Sequence, residues 1–175
     1  MIRRKLHKLA AISALFSFSS AQAAEPAACF KRDEVRSIVA FLMPVALDPA
    51  IKSCKAHLAS DSYLLTGGQQ LQDSLAKNKD AEWSKAKTAF LRVFDDGARK
   101  MPDMPDELLR TMLEAKFGSE ILGKMSADDC KDFSNIAARL APLSPDALVD
   151  LVAEIGVVAL RSDKKARGFN ICPGA

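Results

Sequence analysis

Aliphatic residues recur at helical spacing along most of the chain, and this periodicity is the sequence feature that most restricts the fold. From residue 33 to residue 161, apolar side chains return every three or four positions, which places them on one side of successive helices. No segment alternates apolar and polar residues in the way typical of a half-buried strand. The pattern predicts an all-α fold, a single compact bundle of about six to seven short helices.

Prolines and glycines divide this periodic stretch into separate helices. Pro44 is predicted to end the first helix, because an interior proline removes a main-chain hydrogen bond. Asp48 and Pro49 then resemble an N-cap followed by a first-turn proline, which predicts a new helix from that point. Gly118 is interpreted as the C-cap of a later helix.

The last two helices carry the clearest start signals. Ser126 and Asp129 have the spacing of a capping box, in which each side chain accepts a hydrogen bond from the other residue's backbone. Ser144 followed by Pro145 again combines a cap with a first-turn proline. The sequence therefore predicts helices that begin directly after Ser126 and Ser144.

The first 23 residues have the three parts of a secretory signal peptide. A cationic start is followed by an apolar run of about ten residues, and Ala21-Gln22-Ala23 fits the small-x-small rule of signal peptidase. A membrane-spanning helix needs about 20 apolar residues, so we expect cleavage before Ala24 rather than a retained anchor. The prediction is a signal peptide over residues 1–23 and a single helical domain over residues 24–175, without a membrane span, in the periplasm or secreted. An amphipathic N-terminal helix of the mature protein is the alternative.

The net charge of the whole chain, +3, comes from this segment. Four of the 25 basic residues and none of the 22 acidic residues lie in it, which leaves 21 basic and 22 acidic residues after cleavage, a net charge of −1. A near-neutral domain lacks the basic excess of nucleic-acid-binding proteins. Neither a nucleic acid nor an anionic membrane surface is therefore expected as a partner.

Four cysteines follow the cleavage site: Cys29, Cys54, Cys130 and Cys172. An even number in an oxidising compartment predicts two disulfides, for which three pairings are possible. We favour the sequential pairing, Cys29 with Cys54 and Cys130 with Cys172, because it would join each end of the domain to a nearby helix. The chain has no C-x-x-C motif, so redox catalysis is not expected.

Candidate metal ligands are few in the mature chain. It has one histidine, His57, one helical turn from Cys54, but a disulfide would consume this cysteine and no second ligand pair is evident. Met101 and Met104 form an M-x-x-M pair of the kind that can bind Cu(I), although methionines at a turn more often fill gaps in a core. We expect no metal and no cofactor.

Catalytic motifs are also missing from the sequence. Two S-x-x-K tetrads, Ser74 to Lys77 and Ser162 to Lys165, match the spacing in penicillin-recognising enzymes, but the companion S-D-N and K-T-G elements are absent. The chain contains no G-x-S-x-G, H-E-x-x-H or P-loop motif. We expect no catalytic residue, and any enzyme activity would have to depend on carboxylates alone.

The helix predicted from Pro145 to about Arg161 is apolar on nearly all sides and carries one narrow acidic row, Asp146, Asp150 and Glu154. We expect this helix to be the buried central one; the alternative is that half of its apolar surface meets a partner or a ligand. We expect the acidic row to be a solvated edge, with a cation or partner site as the alternative.

These observations favour a non-catalytic interaction or accessory module that acts through a helical surface. The alternative is a carrier of a small apolar ligand bound between helices, indicated by the surplus of aliphatic residues on the last helix. The sequence specifies neither the partner nor the oligomeric state.

Overall fold

The computed structural model describes residues 29–94, 104–122, 125–162 and 170–173. Within these ranges the fold is all-α, as predicted, and the one β-type contact is an isolated parallel bridge between Phe30 and Ile171. The seven helices are α1 (Arg32–Cys54), α2 (Tyr63–Thr66), α3 (Gly68–Ala76), α4 (Lys79–Phe94), α5 (Asp106–Leu122), α6 (Ala127–Leu140) and α7 (Pro145–Ser162).

Helix α1 lies at the centre of the bundle, because it contacts α3, α4, α5, α6 and α7. The three clusters of buried side chains all include residues of α1. By length and composition α1 is also apolar enough to cross a bilayer. Its contacts with five other helices are those of the core helix of a bundle.

The prediction that Pro44 ends the first helix and that Asp48 starts another was wrong, since both prolines lie inside α1. Each proline removes a hydrogen bond to the carbonyl four residues earlier, at a cost of about 3 kcal/mol. Buried positions nevertheless continue every three or four residues past both prolines, from Phe41 through Pro44 and Leu47 to Ala50. Packing on several sides of α1 outweighs the local preference to stop.

Gly118 is not a C-cap, because α5 continues past it to Leu122. A Cβ added at Gly118 would meet the Pro49 ring and the backbone oxygen of Val45, both at 3.9 Å. These are ordinary van der Waals distances, so α5 contacts α1 at Gly118 without requiring a glycine there, and a glycine in the sequence does not by itself show that a helix ends.

Both predicted start signals are confirmed. The Ser126 hydroxyl accepts a hydrogen bond from the Asp129 N–H (3.2 Å), and the Ser126 N–H donates to the Asp129 carboxylate (3.0 Å). The Ser144 hydroxyl accepts from the Ala147 N–H (3.2 Å), and Pro145 is the first residue of α7. These caps satisfy backbone donors that have no partner within the helix.

The four cysteines form two disulfides, but the favoured sequential pairing was wrong: the bonds join Cys29 to Cys172 and Cys54 to Cys130. Cys29 and Cys54 lie at opposite ends of the continuous helix α1, about 35 Å apart at 1.5 Å per residue, whereas the Cα atoms of a disulfide lie within about 7 Å. The Cys54–Cys130 pair is fully buried, and the other pair is partly exposed. Such a disulfide framework is typical of proteins in oxidising compartments.

The prediction that the last helix is the central one was also wrong. Helix α7 buries four residues: Leu148, Val149, Ala153 and Val157. On its outer face Leu151, Ile155 and Val158 remain 38%, 59% and 61% exposed. The 23-residue α1 takes the central position because its length lets it contact more elements than the 18-residue α7.

Phe41 is the completely buried centre of the contact between α1, α4 and α5. The Trp83 ring centroid lies 4.8 Å from that of Phe41, while Lys79 Nζ and Arg110 Cζ lie 5.4 Å and 5.6 Å from the Phe41 centroid. This aromatic pair and its two cations form the Phe41 cluster, which combines apolar burial with cation–π attraction.

Carboxylates around the Phe41 cluster have lowered pKa values. A hydrogen bond from Arg110, together with its charge, lowers the pKa of Asp80. Hydrogen bonds from Lys87 and from the Trp83 indole lower the pKa of Asp106. Each of these carboxylates binds its proton less readily in the folded state than in the unfolded chain. The folded state therefore becomes less stable in acid.

We expect the unfolding free energy contributed by Asp80 and Asp106 to be fully present above the unfolded-state pKa of about 3.9 and to be lost as the pH falls through their lower folded-state values. Urea unfolding of the wild type at pH 7, 5 and 3 measures the loss. Asp106→Asn is expected to reduce the difference between pH 5 and pH 3, whereas Asp61→Asn, at an exposed site, leaves it unchanged. Equal pH dependence in the wild type and Asp106→Asn would contradict the prediction.

Candidate functional site

An apolar groove opens on the surface between α1, α3, α6 and α7, with a volume of about 260 Å³. All of its lining residues are aliphatic, aromatic or methionine side chains: Met43, Ala46, Leu47, Leu71, Leu75, Phe133, Ile136, Ala137, Leu140, Leu148 and Val152. We call this feature the apolar groove. Because its lining offers neither a charge nor a hydrogen-bonding side chain, the groove suits apolar groups.

The groove exists because small side chains occupy part of its wall. Ala46 of α1 and Ala137 of α6 both line it, and larger side chains at these positions would occupy its volume. The capping box at Ser126 sets the start of α6, so that Phe133, Ala137 and Leu140 follow at helical spacing toward the groove. The capping box thus fixes where α6 begins, and the packing of α6 in the bundle determines which of its faces lines the groove.

The mouth of the groove is itself apolar. Ile136 lines the groove and is nevertheless 55% exposed. On α7, Val152 lines the groove, and Ile155 lies three residues further on, which makes the two side chains neighbours on the helix surface. The apolar surface therefore continues from the groove onto the outer face of α7. Exposed apolar patches of this kind mark binding surfaces in soluble proteins.

The acidic row of α7 is not only a solvated edge, because it pairs with two arginines of α1. Arg36 contacts Asp150 (Nε to Oδ1, 2.6 Å) and Asp146 (Nη2 to Oδ1, 3.5 Å), and Arg32 pairs with Glu154. The hydrogen bond to Asp150 raises the pKa of Arg36. These pairs remain largely exposed, at 48% to 70% for the carboxylates, so each contributes at most about 1 kcal/mol to stability.

An open depression of about 900 Å³ lies beside this row and the Cys29–Cys172 disulfide. Its lining includes Lys31, Arg32 and Arg36 together with Asp150 and Glu154. Positive and negative side chains alternate there and pair with each other, so the depression does not present a field of one sign to a charged ligand.

No group of three or more His, Cys, Asp or Glu side chains within the described ranges is placed to hold a metal ion. Cys54 is consumed by its disulfide, and His57 is exposed just beyond the end of α1. Met104 packs against the Phe41 cluster, where it fills the core, while Met101 lies outside the described residues. The C-x-x-H and M-x-x-M pairs are therefore not assembled into a site in the parts that the structure describes.

The two S-x-x-K tetrads show no activated serine. The Ser74 hydroxyl donates a hydrogen bond to the backbone oxygen of Leu71 (2.8 Å), and Lys77 is exposed. The Ser162 hydroxyl donates in the same way to the Val158 backbone oxygen (2.9 Å), and Lys165 lies outside the described residues. Both serines use their hydroxyls within a helix.

Sequence reasoning did not identify the groove residues as a set. They come from four helices, and only the packing of those helices brings them together. The apolar residues of α6, Phe133, Ile136, Ala137 and Leu140, form a stripe of ordinary width, so the sequence contains no separate signal of a groove. No protein-family model, curated protein or solved structure matches the chain, so its function has to be inferred from these surfaces.

Proposed function

We propose that the mature chain is an exported, non-catalytic interaction module that binds apolar side chains of a protein partner in the apolar groove. The observation that carries this proposal is the composition of the groove, whose walls are apolar side chains from four helices. Burial of apolar surface is the main favourable term in protein association. An apolar groove between helices is also a common binding site for an amphipathic segment.

Export is supported by two independent features. The first 23 residues have the pattern of a cleaved signal peptide. The structure adds two disulfides, which persist in oxidising compartments. We place the mature chain in the periplasm or among secreted proteins on these grounds.

A protein partner fits the dimensions of the surface better than an enclosed small molecule. The groove volume of about 260 Å³ is below the roughly 300–1,000 Å³ of pockets that bury most of a drug-sized ligand. Its mouth is open, with Ile136 at 55% exposure, and the apolar surface extends beyond it. A partner segment that inserts one or two apolar side chains would fill the groove and cover Ile136 at its mouth.

The second candidate is a carrier of a small apolar ligand. It is favoured by the same apolar lining, since a site without polar side chains selects for hydrocarbon. Native mass spectrometry of the exported protein separates the two candidates, because a bound ligand adds a mass that is lost on denaturation.

We expect a photo-crosslinking amino acid at position 136 to form a discrete adduct with one protein of the exported fraction, because Ile136 lies at the mouth of the groove. Ala46→Phe in the same chain is expected to abolish this adduct by filling the groove. Denaturing electrophoresis followed by mass spectrometry identifies the adduct.

The matched control is the same crosslinker at Leu108 of α5, which is 50% exposed and lies on a helix that contributes no residue to the groove. An adduct of equal yield from position 108, or one that survives Ala46→Phe, would contradict the proposed site. A bound small molecule in native mass spectrometry, together with the absence of a crosslinked adduct, would favour the carrier over the interaction module.

A further inference from the structure

The outer face of α7 repeats apolar residues with the spacing of a coiled-coil seam. Leu148, Leu151, Ile155 and Val158 are separated by three, four and three residues, which is the a–d–a–d pattern of a heptad. Leu148 is buried in the bundle, but the next three side chains remain 38%, 59% and 61% exposed. A seam of this kind is the surface that one helix presents to another.

The charged residues beside this seam can pair with the same residues of a second copy. Glu154 and Arg161 occupy successive g positions on one flank, seven residues apart and of opposite sign. The e positions on the other flank, Val152 and Ala159, are small and apolar. In a parallel pair the g position of one helix meets the e position of the other, so the charges would face alanine or valine. In an antiparallel pair the g position of one helix meets a g position of the other, so Glu154 and Arg161 can face each other.

The antiparallel register is consistent in detail. A two-fold axis midway between positions 155 and 158 places Ile155 opposite Val158 of the second copy. The same axis leaves Glu154 two residues, about 3 Å along the helix, from the point directly opposite Arg161 of the second copy, which is within reach of these long side chains. Glu154 remains 48% exposed while it pairs with Arg32 of its own chain, so it can also accept a second cation. The apolar and the charged contacts are thus compatible with one alignment.

From this spacing, exposure and charge pattern we infer that the mature chain forms an antiparallel homodimer through the outer face of α7. This contact is isologous, the commonest arrangement in soluble oligomers. It goes beyond the proposed binding of a partner, because the apolar groove reaches the e flank of α7 at Val152, whereas the three exposed seam residues do not line it. The two grooves of the dimer therefore lie on the same flank of the helix pair, on either side of the axis.

The seam is short, with three exposed apolar residues in each copy. Stable complexes usually bury more than roughly 1,200 Å² of surface, so a contact of three apolar residues per copy is expected to be weak. The dimer is therefore expected to form and separate with protein concentration.

Sedimentation velocity of the oxidised mature chain over a wide range of concentration tests the dimer. We expect the mean mass to rise from that of one chain toward that of two. Ile155→Lys is expected to weaken dimerisation at least about tenfold, because it places a charge in the middle of the seam. Met112→Lys on α5, at a residue that is 50% exposed, is the matched control and leaves the dissociation constant unchanged. Circular dichroism verifies that both variants keep the fold.

The orientation has its own test. Arg161→Glu is expected to weaken the dimer, because it sets two acids against each other, and adding Glu154→Arg in the same chain is expected to restore it. A chain that stays monomeric at every concentration, or a dimer that Ile155→Lys leaves intact, overturns the inference. Failure of the second substitution to restore the dimer overturns the antiparallel arrangement. None of these results depends on the crosslink at position 136, so the two proposals fail separately.

Discussion

Replacing Phe41 with alanine lowers the expected free energy of unfolding by about 3–5 kcal/mol, the largest effect that we expect from any single substitution. The ring is completely buried where α1, α4 and α5 meet, so its removal leaves a cavity that the three helices cannot easily close. The substitution also removes the Trp83 ring contact and the face to which Lys79 and Arg110 are attracted. Denaturant unfolding followed by circular dichroism measures the loss.

Two further variants separate the contributions at this site. Phe41→Leu keeps most of the apolar volume but removes the aromatic face, and we expect a smaller loss of about 1–2 kcal/mol. Leu108→Ala, at a half-exposed residue of α5, is expected to cost less than about 1 kcal/mol. A Phe41→Ala variant as stable as Leu108→Ala would contradict the packing described for the Phe41 cluster.

The second large effect is expected when the buried disulfide is removed. Cys54→Ala with Cys130→Ala opens a loop of 76 residues, and chain entropy alone predicts a loss of about 4 kcal/mol. Both residues are completely buried in the cluster that also holds Leu47 and Leu64, so a cavity adds to the loss. Urea unfolding at neutral pH measures the change in free energy.

The matched control is the double variant Cys29→Ala with Cys172→Ala. The Cys29–Cys172 loop of 143 residues is about twice as long as the Cys54–Cys130 loop of 76 residues. This difference changes the chain-entropy contribution to stability by only about 0.6 kcal/mol. Because this pair is partly exposed, no comparable cavity forms, and we expect the smaller total loss. A larger loss for the Cys29 and Cys172 variant would show that the chain ends, rather than the core bridge, limit unfolding.

The parts of the fold that could be predicted are those that depend on neighbouring residues. The capping box at Ser126 and the proline start at Pro145 were correct because each is a local hydrogen-bonding arrangement. The all-α class follows from the periodicity of many residues, which no single misread position can overturn.

The errors concern features that depend on distant contacts. Whether Pro44 ends a helix depends on what packs around it, and here burial on several sides of α1 keeps the helix continuous. The wrong disulfide pairing followed from that error, because a helix that stopped at Pro44 would have let Cys54 fold back toward Cys29. The apolar residues of α7 were read correctly as a surplus, but composition does not reveal which face another helix covers.

The candidate site was the least predictable part of the molecule. Its lining combines positions as distant in sequence as Met43 and Val152, and no motif links them. Apolar residues at helical spacing have the same pattern whether they meet another helix or surround a groove. The difference arises from small residues such as Ala46 and Ala137, whose short side chains leave space only in the assembled bundle.

The continuous helix α1 also has a consequence for how an exported chain acquires its bonds. Under the proposed export, N-to-C-terminal translocation would bring Cys29 and Cys54 into the oxidising compartment before their partners Cys172 and Cys130. Nearest-neighbour oxidation at that stage would join the wrong two thiols. Once α1 is helical, it acts as a rigid rod that holds those thiols about 35 Å apart. Early formation of this helix would thus protect the nascent chain from mispairing, and a chain in which α1 forms late would depend on a disulfide isomerase.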